Sequence, residues 1–340
     1  MKKNFRNRLF AVTAAASLSF VLLSGFDSSL TAEDIAQKTT EAMNAAGGMN
    51  CDVQGIADVS IDVSAGEETQ SMAIKGALNY SVQFIVDPFV MAISGEMNAD
   101  AADMGVSQGM KIEVYLAGQD DGSGVMYVRM PDGEDTGWHA AAMNAEEMTM
   151  LQDSVKASLS GDPAGAVDTL GIDLSGLKEQ LNSNMTLAPE AVNVNGIDCY
   201  EITQSVDGTT LFNVISEVMK AMPDAGIDQA TLSTIQMLVG GLKMDTVSDI
   251  AVDTFDPVHA GLDLGGSDFS LLGQMFGAMM GSSGDGSQAP GISVNVNALN
   301  LSMNYGDVPE QIDIPVQALA AQVETTLSME DLTAATQSSD

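Results

Sequence analysis

Histidine is the first residue type to consider, because its imidazole serves both metal binding and acid–base catalysis. The chain contains two histidines, His139 and His259. Neither lies in an HExxH pattern or near a cysteine, so the spacing of metal ligands is absent. Ser-His-Asp chemistry stays open, since the members of such a site are distant along a chain. The simplest interpretation makes both histidines surface or rim residues, and we expect no enzyme.

Acidic residues occur beside glycine in several turns, which raises the question of a calcium site. The turns are Asp120-Asp121-Gly122, Asp132-Gly133-Glu134-Asp135 and Gly284-Asp285-Gly286. None has the spaced ligands of an EF-hand loop with a glutamate at its twelfth position. Asp-Gly is ordinary turn chemistry, and no phosphate-binding glycine loop joins a strand to a helix. The sequence predicts no catalytic residues, no metal site and no cofactor.

The two cysteines, Cys51 and Cys199, are an even number, which permits one disulfide in an oxidising compartment. The local pattern opposes the bond. Cys51 shares its side of a strand with Val53, whereas Cys199 shares its side with Glu201. A disulfide between them and a pair of buried thiols both remain open.

Methionine is abundant, with 23 residues. Its flexible thioether fills irregular gaps in a core and also adapts to varied apolar ligands, so both uses stay open. The ligand interpretation gains weight from Phe269–Met280, an apolar segment between Gly265-Gly266-Ser267 and the glycine- and serine-rich stretch 281–287. Such tethers restrict a chain little. We interpret residues 265–291 as a mobile lid over an apolar cavity.

Strands are the main elements predicted for this chain, because residues 51–130 alternate between apolar and polar. In Cys51–Ser64 the odd positions are apolar, and after a turn the even positions from Met72 to Val86 continue the pattern. Successive side chains of a strand point to opposite faces, so each run is a strand with one wet and one dry face. Further strands are predicted around the Asn195-Gly196 hairpin, at 244–255, at 258–264 and at 292–305, with a bulge near Ala298.

Helices are predicted before and between the strands. Thr31 with Asp34 and Asn144 with Glu147 form capping boxes, each followed by apolar residues at helical spacing. A helical pair covers 211–222 and 228–242, and Ile312-Asp313-Ile314-Pro315 leads into a last helix. Helix, meander, helices and strands in this order predict an α+β domain with one strongly curved antiparallel sheet.

The N-terminus has the features of an export signal. Lys2, Lys3, Arg6 and Arg8 precede the apolar run Leu9–Leu23 and then Ser24-Gly25, in the order of a secretory signal. Leu23-Ser24-Gly25 resembles the start of a lipobox, but Phe26 stands where the acylated cysteine would be. We expect residues 1–25 to direct export without a lipid anchor; cleavage near Gly25 and retention by an uncut signal both stay open.

The overall charge excludes some partners. The formal net charge is −35, and 45% of the residues are apolar. Such a charge repels phosphate backbones and anionic headgroups, so we expect no nucleic acid partner and no membrane contact beyond the N-terminal segment. The apolar content is too high for a disordered acidic tail.

The chain combines an export signal, a capped helix Thr31–Ala46 that runs into Cys51–Ser64, strands that end in Trp138, and the late Ile312-Asp313-Ile314-Pro315. With these features it resembles the LolA/LppX-like family of extracytoplasmic lipid and lipoprotein carriers. The likeness covers about residues 30–320. It implies a half-open β-barrel with helices packed on or plugging a concave face that holds acyl chains or another apolar molecule. It brings no catalytic residues and fixes no particular ligand.

We therefore predict a signal peptide at 1–25, a half-barrel domain at 26–327 and a tail at 328–340. The domain is expected to hold an apolar small molecule or lipid outside the cytoplasm, and another envelope protein is a further partner to consider. The alternative is an acidic surface interaction protein with a filled core, and third comes a hydrolase with a dispersed triad. The residues predicted to line the ligand site are Met72, Ile74, Leu78, Tyr80, Val82, Phe84, Met91, Ile93, Phe269, Leu272, Met275, Phe276 and Met279.

Overall fold

A computed structural model describes residues 30–65, 68–101, 106–130, 136–159, 184–220, 229–271 and 291–327. The predicted signal segment, the predicted tail 328–340 and most of the predicted lid lie outside these ranges. The helices are α1 (Ala32–Ala46), α2 (Ala145–Leu159), α3 (Gly208–Lys220), α4 (Gln229–Gly240) and α5 (Val316–Leu319). The strands are β1 (Gly48–Ala65), β2 (Glu68–Val86), β3 (Phe89–Ala101), β4 (Val106–Gly118), β5 (Gly124–Arg129), β6 (His139–Met143), β7 (Met185–Leu187), β8 (Val192–Val194), β9 (Ile197–Asp207), β10 (Lys243–Ala251), β11 (Pro257–Asp263), β12 (Gly291–Gly306) and β13 (Val323–Leu327).

All of these strands belong to one 13-stranded sheet in the order β13-β6-β5-β4-β3-β2-β1-β12-β11-β10-β9-β7, with β8 also paired to β9. The two ends of this order, β13 and β7, are edges, so the sheet is open rather than closed. Every pairing is antiparallel except that of β13 with β6. This confirms the predicted α+β class with a single antiparallel sheet of half-barrel type.

The two longest strands follow directly from the alternating pattern. β1 and β2 form a continuous ladder in which Cys51 faces Val82 and Val59 faces Ile74. On its other side β1 pairs with β12, where the register shifts so that Asp58 faces Ala298 and Val59 faces Val296. The bulge predicted near Ala298 is therefore present, and it keeps the apolar side chains of β12 on the same face as those of β1.

Two predictions about the strands need correction. Residues 98–108, where the apolar–polar alternation is interrupted in a way that predicts a loop, are largely strand: β3 continues to Ala101 and β4 begins at Val106. The last helix expected after Pro315 has only four residues, Val316–Leu319, and is followed by β13, which was not predicted. β13 pairs with β6, whose residues are far away along the chain, so no local pattern indicates it.

Helices α1 and α2 fill one end of the inner face of the sheet. Both capping boxes are present: the backbone N–H of Thr31 donates to Asp34 Oδ2 at 3.2 Å, and that of Asn144 donates to Glu147 Oε2 at 2.9 Å. Ile35 of α1 packs with Ile202 and Ile250. Met148 of α2 is fully buried in the main core. Helices thus pack on the inner face, as predicted.

The close fit of α2 depends on Gly124 in β5. A Cβ atom at this position would collide with Sδ and Cγ of Met148. Glycine therefore leaves the space that the Met148 side chain fills.

Among the described residues, no helix is long and apolar enough to cross a membrane.

Candidate functional site

The inner face of the sheet has two parts that differ in burial. On β2, Tyr80, Val82 and Phe84 are 7%, 8% and 6% exposed, whereas Met72 and Ile74 on the same face are only half-buried. The other long strands show the same change, since Cys51 on β1 and Met303 on β12 are buried. The buried end is the part that α1 and α2 cover.

The half-buried end forms a continuous surface, here called the inner apolar patch. Ile61 faces Met72 on one side and Val294 on the other, and Val59 faces Ile74 and Val296 in the same way. Cross-strand neighbours of this kind lie in side-chain contact. The members of the patch are all apolar and half-buried: Val59, Ile61, Met72, Ile74, Leu78, Val294, Val296 and Leu301.

The predicted lining residues divide between these two parts. Met72 and Ile74 lie in the inner apolar patch, and Leu78 lies at its border, where it also packs against the main core. In contrast, Tyr80, Val82 and Ile93 belong to the main core, with Met91 packed against it, and Phe84 lies in a second core cluster with Met43. A core side chain that already touches protein on every side has no surface for a ligand. The structure therefore narrows the candidate site to the patch and the residues beside it.

The sequence did not indicate that β12 contributes to the site. Val294, Val296 and Leu301 complete the patch because β12 pairs with β1. The alternation in β12 predicts a strand with an apolar face, but the pairing joins residues far apart along the chain. Only the register of β1 with β12 places these side chains beside Ile61 and Val59.

The opposite face of the same strands is polar. Asp62 accepts a hydrogen bond from Asn295 Nδ2 at 3.1 Å, and Asp58 accepts one from Asn297 Nδ2 at 3.0 Å. Lys75 Nζ lies 3.6 Å from Asp58 Oδ2. These groups are well solvated, so this outer face presents a polar ladder that gives an apolar ligand no surface to bind.

Only the beginning of the predicted lid is described. Phe269 is half-buried, and the stretch before it is fixed to the junction of α4 and β10: the Asp268 N–H donates to the Gly241 carbonyl at 2.7 Å, and the Lys243 N–H donates to Ser267 Oγ at 2.8 Å. The first glycine-containing tether is thus an anchored turn. Leu272, Met275, Phe276 and Met279 lie outside the described residues.

A cleft of about 820 Å³ opens at the other end of the sheet, between the end of α1, the β8–β9 hairpin and the β10–β11 turn. Apolar Met43 and Met49 line it together with the acidic side chains of Asp198, Asp253 and Asp256. Tyr305 also borders it, and burial raises the pKa of this phenol. The mixed lining makes the cleft a poorer match for an acyl chain than the inner apolar patch.

The two cysteines are buried free thiols. Cys51 in β1 and Cys199 in β9 are separated by β12, β11 and β10, which is about 19 Å along the sheet at a strand spacing of about 4.8 Å. A disulfide needs Cα atoms within about 7 Å of each other. Of the two alternatives left open by the sequence, the structure has the pair of thiols.

Comparisons with known proteins give structural likenesses at low identity. No protein-family model matches the chain, and no curated protein matches it significantly. It is similar to the lipoprotein LppX of Mycobacterium tuberculosis, with 13% identity and a TM-score of 0.29 over 83% of this chain and 97% of LppX. LprF of Mycobacterium bovis is 10% identical, with a TM-score of 0.30 over 84% of this chain and 96% of LprF. A DUF1329 family protein of Desulfovibrio piger is 11% identical, with a TM-score of 0.20 over 82% of this chain and 93% of that protein.

The first of these structures carries one of the two names of the family that the sequence resembles. With TM-scores of 0.30 or below, these likenesses carry no argument about the ligand or the role of this chain. The candidate site stands on the geometry of the sheet alone.

Proposed function

We propose that this protein is an extracytoplasmic binding protein that holds an apolar ligand, such as a lipid acyl chain, against the inner apolar patch. The observation that carries the proposal is the change in burial along β1, β2 and β12: the same face that is fully buried under α1 and α2 continues as half-buried apolar side chains. An apolar surface of this extent gains free energy when it is covered, at about 25 cal/mol per Å².

Two further features support this proposal. The N-terminal segment has the charge and apolar pattern of an export signal. The patch is built from methionine and branched aliphatic side chains, which suit a ligand of variable shape. Residues 265–291 remain a predicted lid over an apolar cavity, because the apolar segment Phe269–Met280 lies between stretches rich in glycine and serine.

The test is the binding of a fluorescent fatty-acid probe to the purified chain. Ile74→Asp places a carboxylate in the patch, so it should weaken binding at least tenfold. Ala77→Asp is the matched control, because Ala77 lies on the outer face of the same strand opposite Ile56 and Asn98. Equal weakening by both variants, or no binding by the unmodified chain, would reject the proposal and favour an interaction protein with a filled core.

A further inference from the structure

His259 has two partners that the sequence did not indicate. Its Nδ1 lies 2.9 Å from Asp249 Oδ2, and its Nε2 lies 3.1 Å from Ser302 Oγ. Asp249 is buried, with 4% of its surface exposed. The second oxygen of its carboxylate is buried without a hydrogen-bond partner among the described residues. The carboxylate is thus directed at the imidazole.

Asp249, His259 and Ser302 form a hydrogen-bonded row, here called the Ser302 row, whose protonation follows from the chemistry of its members. A carboxylate only accepts hydrogen bonds, so Nδ1 of the imidazole carries the proton and donates it to Asp249. In the neutral imidazole with this tautomer, Nε2 accepts the hydrogen bond from the hydroxyl of Ser302. Serine, imidazole and carboxylate in this order are the arrangement that activates a serine as a nucleophile.

Strand register brings these residues together on the outer face. Asp249 of β10 faces His259 of β11, and Gly261 of β11 faces Ser302 of β12. Ser302 therefore lies diagonally across from His259, within reach of its ring. This face is opposite to the inner apolar patch, so the arrangement does not depend on the proposed function.

A groove of about 530 Å³ borders this row at Ser302, and Gly261 and Val247 are also part of its lining. A Cβ at Gly261 would lie 2.8 Å from Val247 Cγ1 and 3.5 Å from Cε1 of the His259 imidazole. Any larger residue would crowd the space next to the imidazole. Glycine at this position leaves a floor on which a small substrate can lie beside the Ser302 hydroxyl.

Side chains must supply the donors for a developing oxyanion, because the N–H groups of a strand lie in the sheet and bond to its neighbours. Asn300 precedes Ser302 by two residues on the same face and lines the same groove. Its side-chain amide is a donor of the kind that stabilises an oxyanion.

A competing serine motif does not provide a nucleophile. Residues 105–109 match the letters GxSxG, but Ser107 lies in strand β4. The nucleophile elbow requires a sharp turn from a strand to a helix. Ser302, in contrast, lies within hydrogen-bond distance of the His259 imidazole.

We propose that Ser302 is a nucleophile for short, uncharged esters, with His259 as the base and Asp249 as a positioning residue. Ser302 Oγ attacks the ester carbonyl carbon while its proton passes to His259 Nε2. The bond from that carbon to the alcohol oxygen breaks, and the proton leaves with the alcohol. Water then attacks the acyl-serine, which releases the carboxylic acid and restores the serine. The carboxylates of Asp245 and Asp263 in the groove lining disfavour anionic substrates.

The decisive experiment uses the unmodified full chain. It is incubated with a fluorophosphonate probe, which forms an Oγ–P bond with an activated serine and loses fluoride, and the modified peptide is identified by mass spectrometry. An adduct on Ser302 supports the proposal. No adduct, or an adduct on another serine, overturns it. Because no substitution is involved, this result does not depend on the folding of a variant.

Variants then test the roles with p-nitrophenyl acetate as the substrate. Ser302→Ala and His259→Gln should each lower hydrolysis by about 100-fold or more. Asp249→Asn should lower kcat with KM unchanged, which a purely structural role would not produce. Ser293→Ala is the matched control, because Ser293 lies on the same strand outside the groove lining and its hydroxyl donates to Asp62 Oδ2 at 3.4 Å. Unchanged hydrolysis in Ser302→Ala, or an equal loss in Ser293→Ala, overturns the proposal.

Discussion

At the scale of single residues, Cys51 shows how burial controls ionisation in this sheet. The thiol lies in the core between Val82 on β2 and Tyr305 on β12. Burial, with a smaller contribution from the Asp52 carboxylate, raises its pKa to about 12. Burial also raises the pKa of Tyr80 and Tyr305, and for Tyr305 the Cys51 thiolate adds to the effect. The folded protein therefore holds these groups in their neutral forms.

The first prediction is a loss of stability at alkaline pH. The unfolded thiol ionises near its ordinary pKa of 9.0 and the folded one near about 12, so the unfolded state loses its proton first. The contribution of Cys51 is complete below pH 9 and is lost as the pH rises toward about 12. The urea midpoint should fall steadily above pH 9. Cys51→Ala should show a smaller fall, and a constant midpoint in the unmodified chain would contradict the assignment.

At the scale of elements, a single strand serves both stability and binding. The end of β2 with Tyr80 and Val82 is core, whereas the end with Met72 and Ile74 belongs to the inner apolar patch. Helices α1 and α2 cause this division because they cover only one end of the inner face. Substitutions along the strand should therefore separate into two classes.

Two isoleucines test this division with the same chemical change. Ile93 is 4% exposed in the main core, so Ile93→Ala should cost about 2–5 kcal/mol of unfolding free energy. Ile74 is half-buried, so Ile74→Ala should lower the unfolding free energy by only about 1 kcal/mol. The same substitution should weaken the binding of the fatty-acid probe. Urea denaturation and probe titration measure the two effects. A larger stability loss in Ile74→Ala than in Ile93→Ala would show that the patch is core.

The cap of α2 is the subject of a separate prediction. The Glu147 N–H donates to Asn144 Oδ1 at 3.0 Å, which completes the capping box. Asn144→Ala should lower the unfolding free energy by about 0.5–2 kcal/mol, measured by thermal or urea denaturation. Met150→Ala on the same helix is the control, because Met150 is half exposed and makes no cap. If both variants lose the same amount, the cap is not what holds the start of α2.

Elements with strong local patterns were predictable from the sequence. The alternation around Val59 and Ile74 gave the faces of β1 and β2 correctly, and Thr31 and Asn144 marked the helix starts. Features that depend on distant pairing were missed. β13 was missed because its partner β6 lies far away along the chain.

The Ser302–His259–Asp249 row was only partly predictable from the sequence, because one of its contacts is local and the other depends on distant pairing. The β10–β11 hairpin is local, so its register could have placed Asp249 opposite His259. Ser302 joins them only through the pairing of β11 with β12. Phe84 and Ile93 were assigned to a ligand site for a related reason: the pattern shows which side chains are on the dry face, but not where a helix covers that face.

At the scale of the whole molecule, the sheet separates two chemistries on its two faces. The inner face is apolar and partly filled by α1 and α2. The outer face carries the polar ladder of Asp58 and Asp62 at one end and the Ser302 row at the other. A net charge of −35 keeps the exterior strongly hydrated. An apolar ligand should therefore bind to the inner face only.

The most direct test of this central claim is photo-crosslinking with a diazirine fatty acid, followed by mapping of the adducts by mass spectrometry. The account predicts adducts on inner positions of the long strands, such as Ile61, Ile74 and Val296, which disappear when unlabelled fatty acid is added in excess. Ile56 is an internal control, since it is apolar and 54% exposed but points outward from β1. Adducts concentrated at Ile56, or adducts that unlabelled fatty acid does not displace, would contradict the account.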